Sequence, residues 1–209
     1  MSLKSIKILI VIFLFTFTLV TCINPVFPKN QLLQHLGTII ISIILFVDLK
    51  KNKLTLKAFS FVGIFILIHI IGARWIYSHV PYQEFISKYF HENLADLLVG
   101  KRNHYDRFVH LFFGILFIPF LFEYFHYRFQ NYRLALLLAW LSVQTFSMLY
   151  EVFEWSLTVM VDPIEATEYN GQQNDFFDPQ KDMALAMLGS TIVTILYFSK
   201  KKTDNEINS

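Results

Sequence analysis

The sequence predicts an all-α polytopic membrane protein with six transmembrane helices and both termini in the cytoplasm. Of its 209 residues, 55% are hydrophobic and only 16% are charged, which is too apolar for an ordinary globular domain. Apolar segments of about 20 residues, the length that crosses a bilayer as a helix, recur along the chain. The net charge of +2 gives no basic field that would attract nucleic acid.

Six apolar segments meet or nearly meet the length of a membrane span, and polar or proline-containing loops separate them. They are residues 6–23, 31–49, 56–75, 107–127, 134–161 and 180–199. The link over 128–133 is so short that the fourth and fifth spans must be antiparallel neighbours. We therefore expect one transmembrane domain over 1–199 and a disordered polar cytoplasmic tail over 200–209.

The first apolar segment has two interpretations. Lys4 and Lys7 precede it, as basic residues precede the apolar core of a signal peptide. Thr21 is a poor residue before the cysteine of a lipoprotein cleavage site, however, so we expect a retained helix. Cys22 is the single cysteine, which excludes an intramolecular disulfide and a multi-cysteine metal cluster.

Orientation follows from the distribution of Lys and Arg, which concentrate on the cytoplasmic side of membrane proteins. Basic residues flank alternate segment ends, over 4–7, 50–57, 128–133 and 200–202. The loop 162–179 between the fifth and sixth spans contains acidic residues and no Lys or Arg, so we expect it outside. Between the third and fourth spans, residues 85–98 mix apolar and charged side chains and predict a short interfacial helix.

Ionisable side chains gather at the predicted outer ends of the last three spans. Such groups are expensive in a membrane, so they are functional candidates by default. Residues four apart share one face of a helix, which brings the first two together. From the fourth, fifth and sixth spans in turn, the side chains are Asp106 and His110, Glu151 and Glu154, and Asp178 and Asp182.

This set of side chains suits a divalent metal ion, because imidazole nitrogen and carboxylate oxygen together bind zinc, manganese or iron. Without a metal, one of several crowded carboxyl groups can act as a general acid and its neighbour as a base. No P-loop or other nucleotide motif is present. The candidate metal ligands are His104, Asp106, His110, Glu151, Glu154, Asp175, Asp178 and Asp182. The candidate catalytic groups are Glu151, Glu154, Asp106 and His110, and Arg107 and Arg74 are candidates for binding an anionic headgroup.

Three motifs, taken together, resemble the YjdF-like family of bacterial inner membrane proteins. They are His104-Tyr-Asp106-Arg107-x-x-His110, Tyr150-Glu151-x-x-Glu154-Trp155 and Asp175-x-x-Asp178-x-x-x-Asp182. That family has no known function, so the resemblance implies a multi-pass protein of the bacterial inner membrane and little chemistry.

A second similarity is to VanZ-like proteins, which have D-K-x-x-H, Glu and D-x-x-x-N-x-x-G on successive helices. The first element corresponds to 106–110, with Arg107 in place of Lys. The third corresponds to Asp182 and Gly189, but Ala186 stands where Asn is expected. This similarity implies a role in the cell envelope.

Three functions are compatible with the sequence. The first is an enzyme that acts on a lipid or lipid-linked envelope substrate at the outer leaflet, with a divalent metal as its one cofactor. The second is cation- or proton-coupled transport through the same carboxylates. The third is a non-catalytic envelope protein in which the polar side chains only tie helices together. The lipid bilayer is the expected partner in each case, and nucleic acid in none.

Overall fold

A computed structural model describes residues 1–89, 102–160 and 172–207. Within these ranges every regular element is a helix, which confirms the predicted all-α fold class. Six helices are long and apolar enough to cross a membrane, as the sequence predicts. They are α1 (Leu3–Thr21), α2 (Pro28–Lys51), α3 (Leu56–Arg74), α5 (Tyr105–Phe129), α6 (Tyr132–Met160) and α7 (Asp178–Ile207).

The described part of the segment between α3 and α5 contains a short helix, α4 (Tyr82–Tyr89). The predicted interfacial helix over 85–98 overlaps α4, and its remainder lies outside the described residues. The sequence predicts that the loop between α6 and α7 lies on the outer side of the membrane. Residues 161–171 of this region are not among the described residues. At the C-terminus, α7 continues to Ile207, so the polar tail begins as helix where the sequence predicted disorder.

Side-chain caps start several of the spanning helices, among them α1, α3 and α6, where Asn131 Oδ1 accepts a hydrogen bond from Leu134 N–H at 3.1 Å. The Ser2 hydroxyl accepts a hydrogen bond from Ser5 N–H at the start of α1, and Thr55 accepts one from Ala58 N–H at the start of α3. Each cap satisfies one of the backbone donors that a first helical turn leaves without a partner. In the apolar part of a bilayer no water could replace these bonds.

The helix α5 lies at the centre of the bundle, where it packs against α3, α6 and α7. It approaches α7 through two glycines. A Cβ at Gly114 would overlap the carbonyl oxygen of Ala186, and one at Gly189 would overlap that of Leu111. Small residues at such crossings let two backbones come into direct contact. This close crossing fixes the start of α7 beside the start of α5.

The helices α1, α2 and α3 form the other part of the bundle. Lys7 on α1 is buried and donates to Asp48 Oδ2 at 2.6 Å, Asn52 Oδ1 at 3.0 Å and the Leu54 carbonyl at 2.7 Å. All three ammonium hydrogens thus have acceptors, as a buried charge requires. The opposite end of the bundle, where α5 and α7 begin and α6 ends, is called the cluster end below.

Candidate functional site

The polar side chains that the sequence places at the ends of three helices do meet at the cluster end. Asp106 and His110 lie on the first two turns of α5, Glu151 and Glu154 on the last three turns of α6, and Asp178 and Asp182 at the start of α7. All six are buried. We call these six residues the acidic cluster.

Contacts within the acidic cluster cross between all three helices. His110 Nε2 lies 3.3 Å from Glu151 Oε1 and 3.8 Å from Asp106 Oδ1. Asp106, His110 and Asp182 each offer one ligand atom, and these atoms all lie within 4.8 Å of one another. The chain therefore has a buried Asp/His/Asp group whose ligand atoms are close enough together to be a candidate metal site.

Glu154 belongs to the same arrangement. Its carboxyl group accepts a hydrogen bond from Tyr150 and interacts electrostatically with the carboxyl groups of Asp106, Glu151 and Asp182. The sequence predicted this meeting from helix ends alone.

Two carboxylate oxygens in the acidic cluster have no hydrogen-bond partner among the described residues. They are Glu151 Oε1 and Asp182 Oδ1, on side chains that are only 5% and 2% exposed. Although His110 Nε2 is near the first, the pair does not have hydrogen-bond geometry. Buried polar atoms are normally satisfied, and an unpaired buried charge is strongly unfavourable. A proton or a bound cation would give such an oxygen a partner.

A network of ion pairs lies beside the acidic cluster and includes one of its members, Asp178. Arg102 and Arg107 both contact Asp178, and Arg107 also pairs with Asp175. Lys181 Nζ lies 2.6 Å from Asp175 Oδ2. This hydrogen bond from Lys181, together with those from Phe177 N–H and Arg107, lowers the pKa of Asp175 to about 2.

The candidate metal ligands fall into two groups, according to whether basic side chains or His110 lie beside them. Asp175 and Asp178 are held by Arg and Lys side chains, whereas Asp106, Glu151 and Asp182 face His110. The structure thus offers the second group more directly to a metal ion. His104 lies outside both groups, with Nδ1 3.4 Å from Arg107 Nη1.

The two candidate headgroup-binding arginines lie in different places. Arg107 is beside the acidic cluster. Arg74, at the end of α3, donates to the Thr21 carbonyl at 2.8 Å and stacks on Trp75, which places it against the end of α1.

Sequence reasoning missed Arg102. Its guanidinium contacts Asp178 and donates to the Gln172 carbonyl at 2.5 Å. Next to it, Asn103 N–H donates to Gln173 Oε1 at 2.9 Å, and Gln173 Nε2 donates back to the Asn103 carbonyl at 2.9 Å. These bonds join segments about 70 residues apart. One signal could have indicated it: several buried acidic residues need basic side chains nearby.

A cavity of about 370 Å³ adjoins the acidic cluster, and Asp106 and His110 form part of its wall. Its remaining lining comes mainly from apolar side chains of α2, α3, α5 and α6. A largely apolar pocket with a few convergent polar groups is the usual form of a small-molecule site.

The model of one protein family, described as "Predicted membrane protein (DUF2238)", matches residues 6–203 of the sequence. The chain belongs to the DUF2238 family. The match covers all six spans and every residue of the acidic cluster, and the YjdF-like name fits this family. Neither a curated protein nor a solved structure matches the chain.

The description of the DUF2238 family as predicted membrane proteins agrees with the six candidate spans and names no reaction. The similarity to VanZ-like proteins stays a prediction. For this DUF2238 protein, any chemistry therefore has to be argued from the acidic cluster and the cavity beside it.

Proposed function

We propose that this DUF2238 protein is a metal-dependent enzyme of the bacterial inner membrane, and that it acts on a lipid or lipid-linked envelope substrate at the outer leaflet. The observation that carries the proposal is the pair of buried, unpartnered carboxylate oxygens on Glu151 and Asp182 beside His110. A purely structural polar cluster would be expected to satisfy its own hydrogen bonds.

The donor set suits a metal that accepts both nitrogen and oxygen ligands. In a tetrahedral zinc site with ligands about 2.0–2.2 Å from the ion, the ligand atoms are about 3.3–3.6 Å apart. The ligand atoms of Asp106, His110 and Asp182 lie within 4.8 Å of one another, so they would move closer together when an ion binds. Glu151 would be the fourth ligand or would hold a proton beside the ion, because its Oε1 faces His110.

A bound divalent ion at this place would polarise a phosphoryl or acyl oxygen or activate a water molecule. Glu154 is the remaining carboxyl group, held by Tyr150, and it would accept or donate the proton as general base or acid. Arg107 would hold an anionic headgroup, since guanidinium binds phosphate in a bidentate manner. Arg74 contacts the end of α1, so it would bind only a headgroup that lies beside α1.

The placement at the outer leaflet rests on the distribution of Lys and Arg. The cluster end carries the loop whose sequence is acidic, and the basic flanks lie at the other end. The similarity to VanZ-like proteins, which implies an envelope role, supports the same side of the membrane.

Metal content tests the proposal. Purified protein in detergent is stripped with a chelator, reloaded with Zn²⁺ or Mn²⁺ and analysed for bound metal. We expect one ion per chain in the wild type and loss of that ion in Asp106→Asn and Asp182→Asn. Glu123→Gln is the matched control, since Glu123 lies on α5 far from the acidic cluster and bonds to Thr55. Wild-type protein that binds no metal at saturation would overturn the metal site.

A second measurement separates the three functions. Lipid extracts of cells that produce the wild type or Asp182→Asn are compared by mass spectrometry. We expect one lipid species to change in amount only with the wild type. Metal binding with cation uptake into proteoliposomes and no lipid change would instead indicate transport. If Asp106→Asn and Asp182→Asn lower thermal stability but change neither bound metal nor lipid, the acidic cluster has only a structural role.

A further inference from the structure

The cavity beside the acidic cluster opens sideways, toward the bilayer. The helix α2 packs against α1 and α3, and α6 packs against α5 and α7, so the cavity lies between these two parts of the bundle. Two of its lining residues, Ile40 on α2 and Phe146 on α6, are 66% and 52% exposed. In a membrane, an apolar side chain with this exposure faces lipid.

The lining of the cavity changes from polar to apolar along the helix axes. Toward the cluster end it includes Asp106 and His110. One and two turns further along α5 come Phe113 and Phe117, and Ile44 lies at the corresponding depth on α2. This gradient is parallel to the direction in which a membrane lipid lies, with its headgroup at the surface and its chain inside.

The polar wall on α3 is already satisfied. His69 Nε2 donates to the Gln34 carbonyl at 3.0 Å, because a carbonyl only accepts, and Nδ1 therefore accepts from the Tyr77 hydroxyl. These two hydrogen bonds occupy both ring nitrogens of His69, so the ring has no donor left for a ligand in the cavity.

Ser147, on the α6 wall, is different. Its hydroxyl is buried, with the residue only 2% exposed, and it has no hydrogen-bond partner among the described residues. Ser147 lines the cavity and lies one helical turn below Glu151. A buried hydroxyl without a partner beside a cavity is available to a polar atom of a ligand or to a water molecule.

We propose that one alkyl or prenyl chain of a membrane lipid enters this cavity between α2 and α6. Its headgroup would lie against Asp106 and His110, and the first oxygen after the chain would accept a hydrogen bond from Ser147. The inference deepens the proposed function, on which it rests, by defining the substrate as a lipid bound by a single chain. The volume of about 370 Å³ is at the lower end of the range for ligand pockets, about 300–1,000 Å³, which suits one chain.

Photocrosslinking tests the inference. Purified protein is irradiated with a phospholipid that carries a diazirine in one acyl chain, and separately with a prenyl phosphate that carries the same group. Mass spectrometry then locates the crosslinks. We expect them on Phe113, Phe117 and Ile44. The probe that crosslinks more strongly identifies the source of the chain as acyl or prenyl.

Matched variants give the decisive comparison. Ile44→Trp fills the cavity, whereas Ile43→Trp places the same ring on the lipid-facing side of α2, where Ile43 is 53% exposed. We expect Ile44→Trp to lower crosslinking about tenfold and Ile43→Trp to leave it unchanged. Ser147→Ala should weaken probe binding about 2- to 10-fold, the range of one hydrogen bond. Thermal unfolding checks that each variant is folded.

The outcomes distinguish this inference from the metal site. Equal crosslinking in Ile44→Trp and Ile43→Trp, or crosslinks scattered over the outer surface, would overturn the cavity assignment. A fully retained probe affinity in Ser147→Ala would overturn the role of the hydroxyl. Zinc content is measured on the same samples, and Ile44→Trp should keep it. Loss of lipid binding with intact zinc binding is thus separable from failure of the metal site.

Discussion

His110 on α5 and Glu151 on α6 face each other across two helices, with Nε2 of the first 3.3 Å from Oε1 of the second. Asp106 Oδ1 approaches the same ring nitrogen at 3.8 Å. An imidazole nitrogen thus lies among carboxylate oxygens in a buried place, and this nitrogen determines which metal ions the acidic cluster would prefer.

Replacement of His110 should change metal preference more than metal binding as such. Imidazole favours zinc, whereas manganese and magnesium accept carboxylate oxygens alone. We therefore expect His110→Asn to lower Zn²⁺ affinity by at least about 100-fold, because loss of a residue that only supports a zinc ligand already costs about 10- to 100-fold. Mn²⁺ affinity should fall much less. Competition with a coloured chelator measures both.

His126→Asn is the control for this experiment, because His126 lies near the other end of α5 and stacks on Phe122. It should leave both affinities unchanged. An equal fall for zinc and manganese in His110→Asn would show that the ring is not a ligand.

Gly114 should be essential for bringing the acidic cluster together. Gly114→Ala places a methyl group against the Ala186 carbonyl and pushes α7 away from α5. Since Asp106 and Asp182 lie on these two helices, their separation should increase. We expect loss of metal binding and a decrease of about 1–3 kcal/mol in the free energy of unfolding, as for other overpacked sites.

Gly63→Ala provides the comparison. A Cβ there meets the side chains of Ile10 at 3.1 Å and Leu14 at 3.7 Å, and a side chain can move where a backbone carbonyl cannot. This variant should keep its metal. If Gly114→Ala binds metal as tightly as Gly63→Ala, the close crossing does not position the site.

The spans could be predicted because a bilayer demands about 20 apolar residues in a row, a property of local sequence. The acidic cluster could also be predicted, since the orientation puts three helix ends on one side. Arg102 could not, because its partner Asp178 is 76 residues further along the chain, beyond α5 and α6. The cavity could not be predicted either, because it depends on how each helix is rotated about its axis. Ser147 becomes a candidate only when the structure shows that its buried hydroxyl has no hydrogen-bond partner among the described residues.

Labelling of the natural Cys22 tests the predicted orientation. Cys22 is the only cysteine, it is exposed, and it follows α1 at the cluster end. A membrane-impermeant maleimide should therefore label it in right-side-out vesicles and not in inside-out vesicles. Cys22→Ser combined with Ser199→Cys, near the other end of α7, should show the reverse. Labelling of Cys22 from the inside-out face alone would invert the topology and move the acidic cluster to the cytoplasmic leaflet.

Lys7 should contribute strongly to stability, although the sequence marks it only as a basic flank. Its ammonium group is 2% exposed and pairs with Asp48, which also accepts hydrogen bonds from Lys53 and Leu54 N–H at 2.8 Å. Lys7→Met would leave the carboxylate buried without its counter-charge. We expect this to lower the free energy of unfolding by about 3–5 kcal/mol.

Two variants decide whether the ion pair is the cause. Lys4→Met removes an exposed lysine from the same helix and should change stability by no more than about 0.5 kcal/mol. Lys7→Met combined with Asp48→Asn removes the unpaired charge but keeps an oxygen for the Lys53 and Leu54 N–H groups. It should therefore recover part of the loss in an unfolding titration. If the double variant is no more stable than Lys7→Met, the effect comes from packing of the lysine chain, since a lone buried carboxylate would otherwise be relieved by Asn.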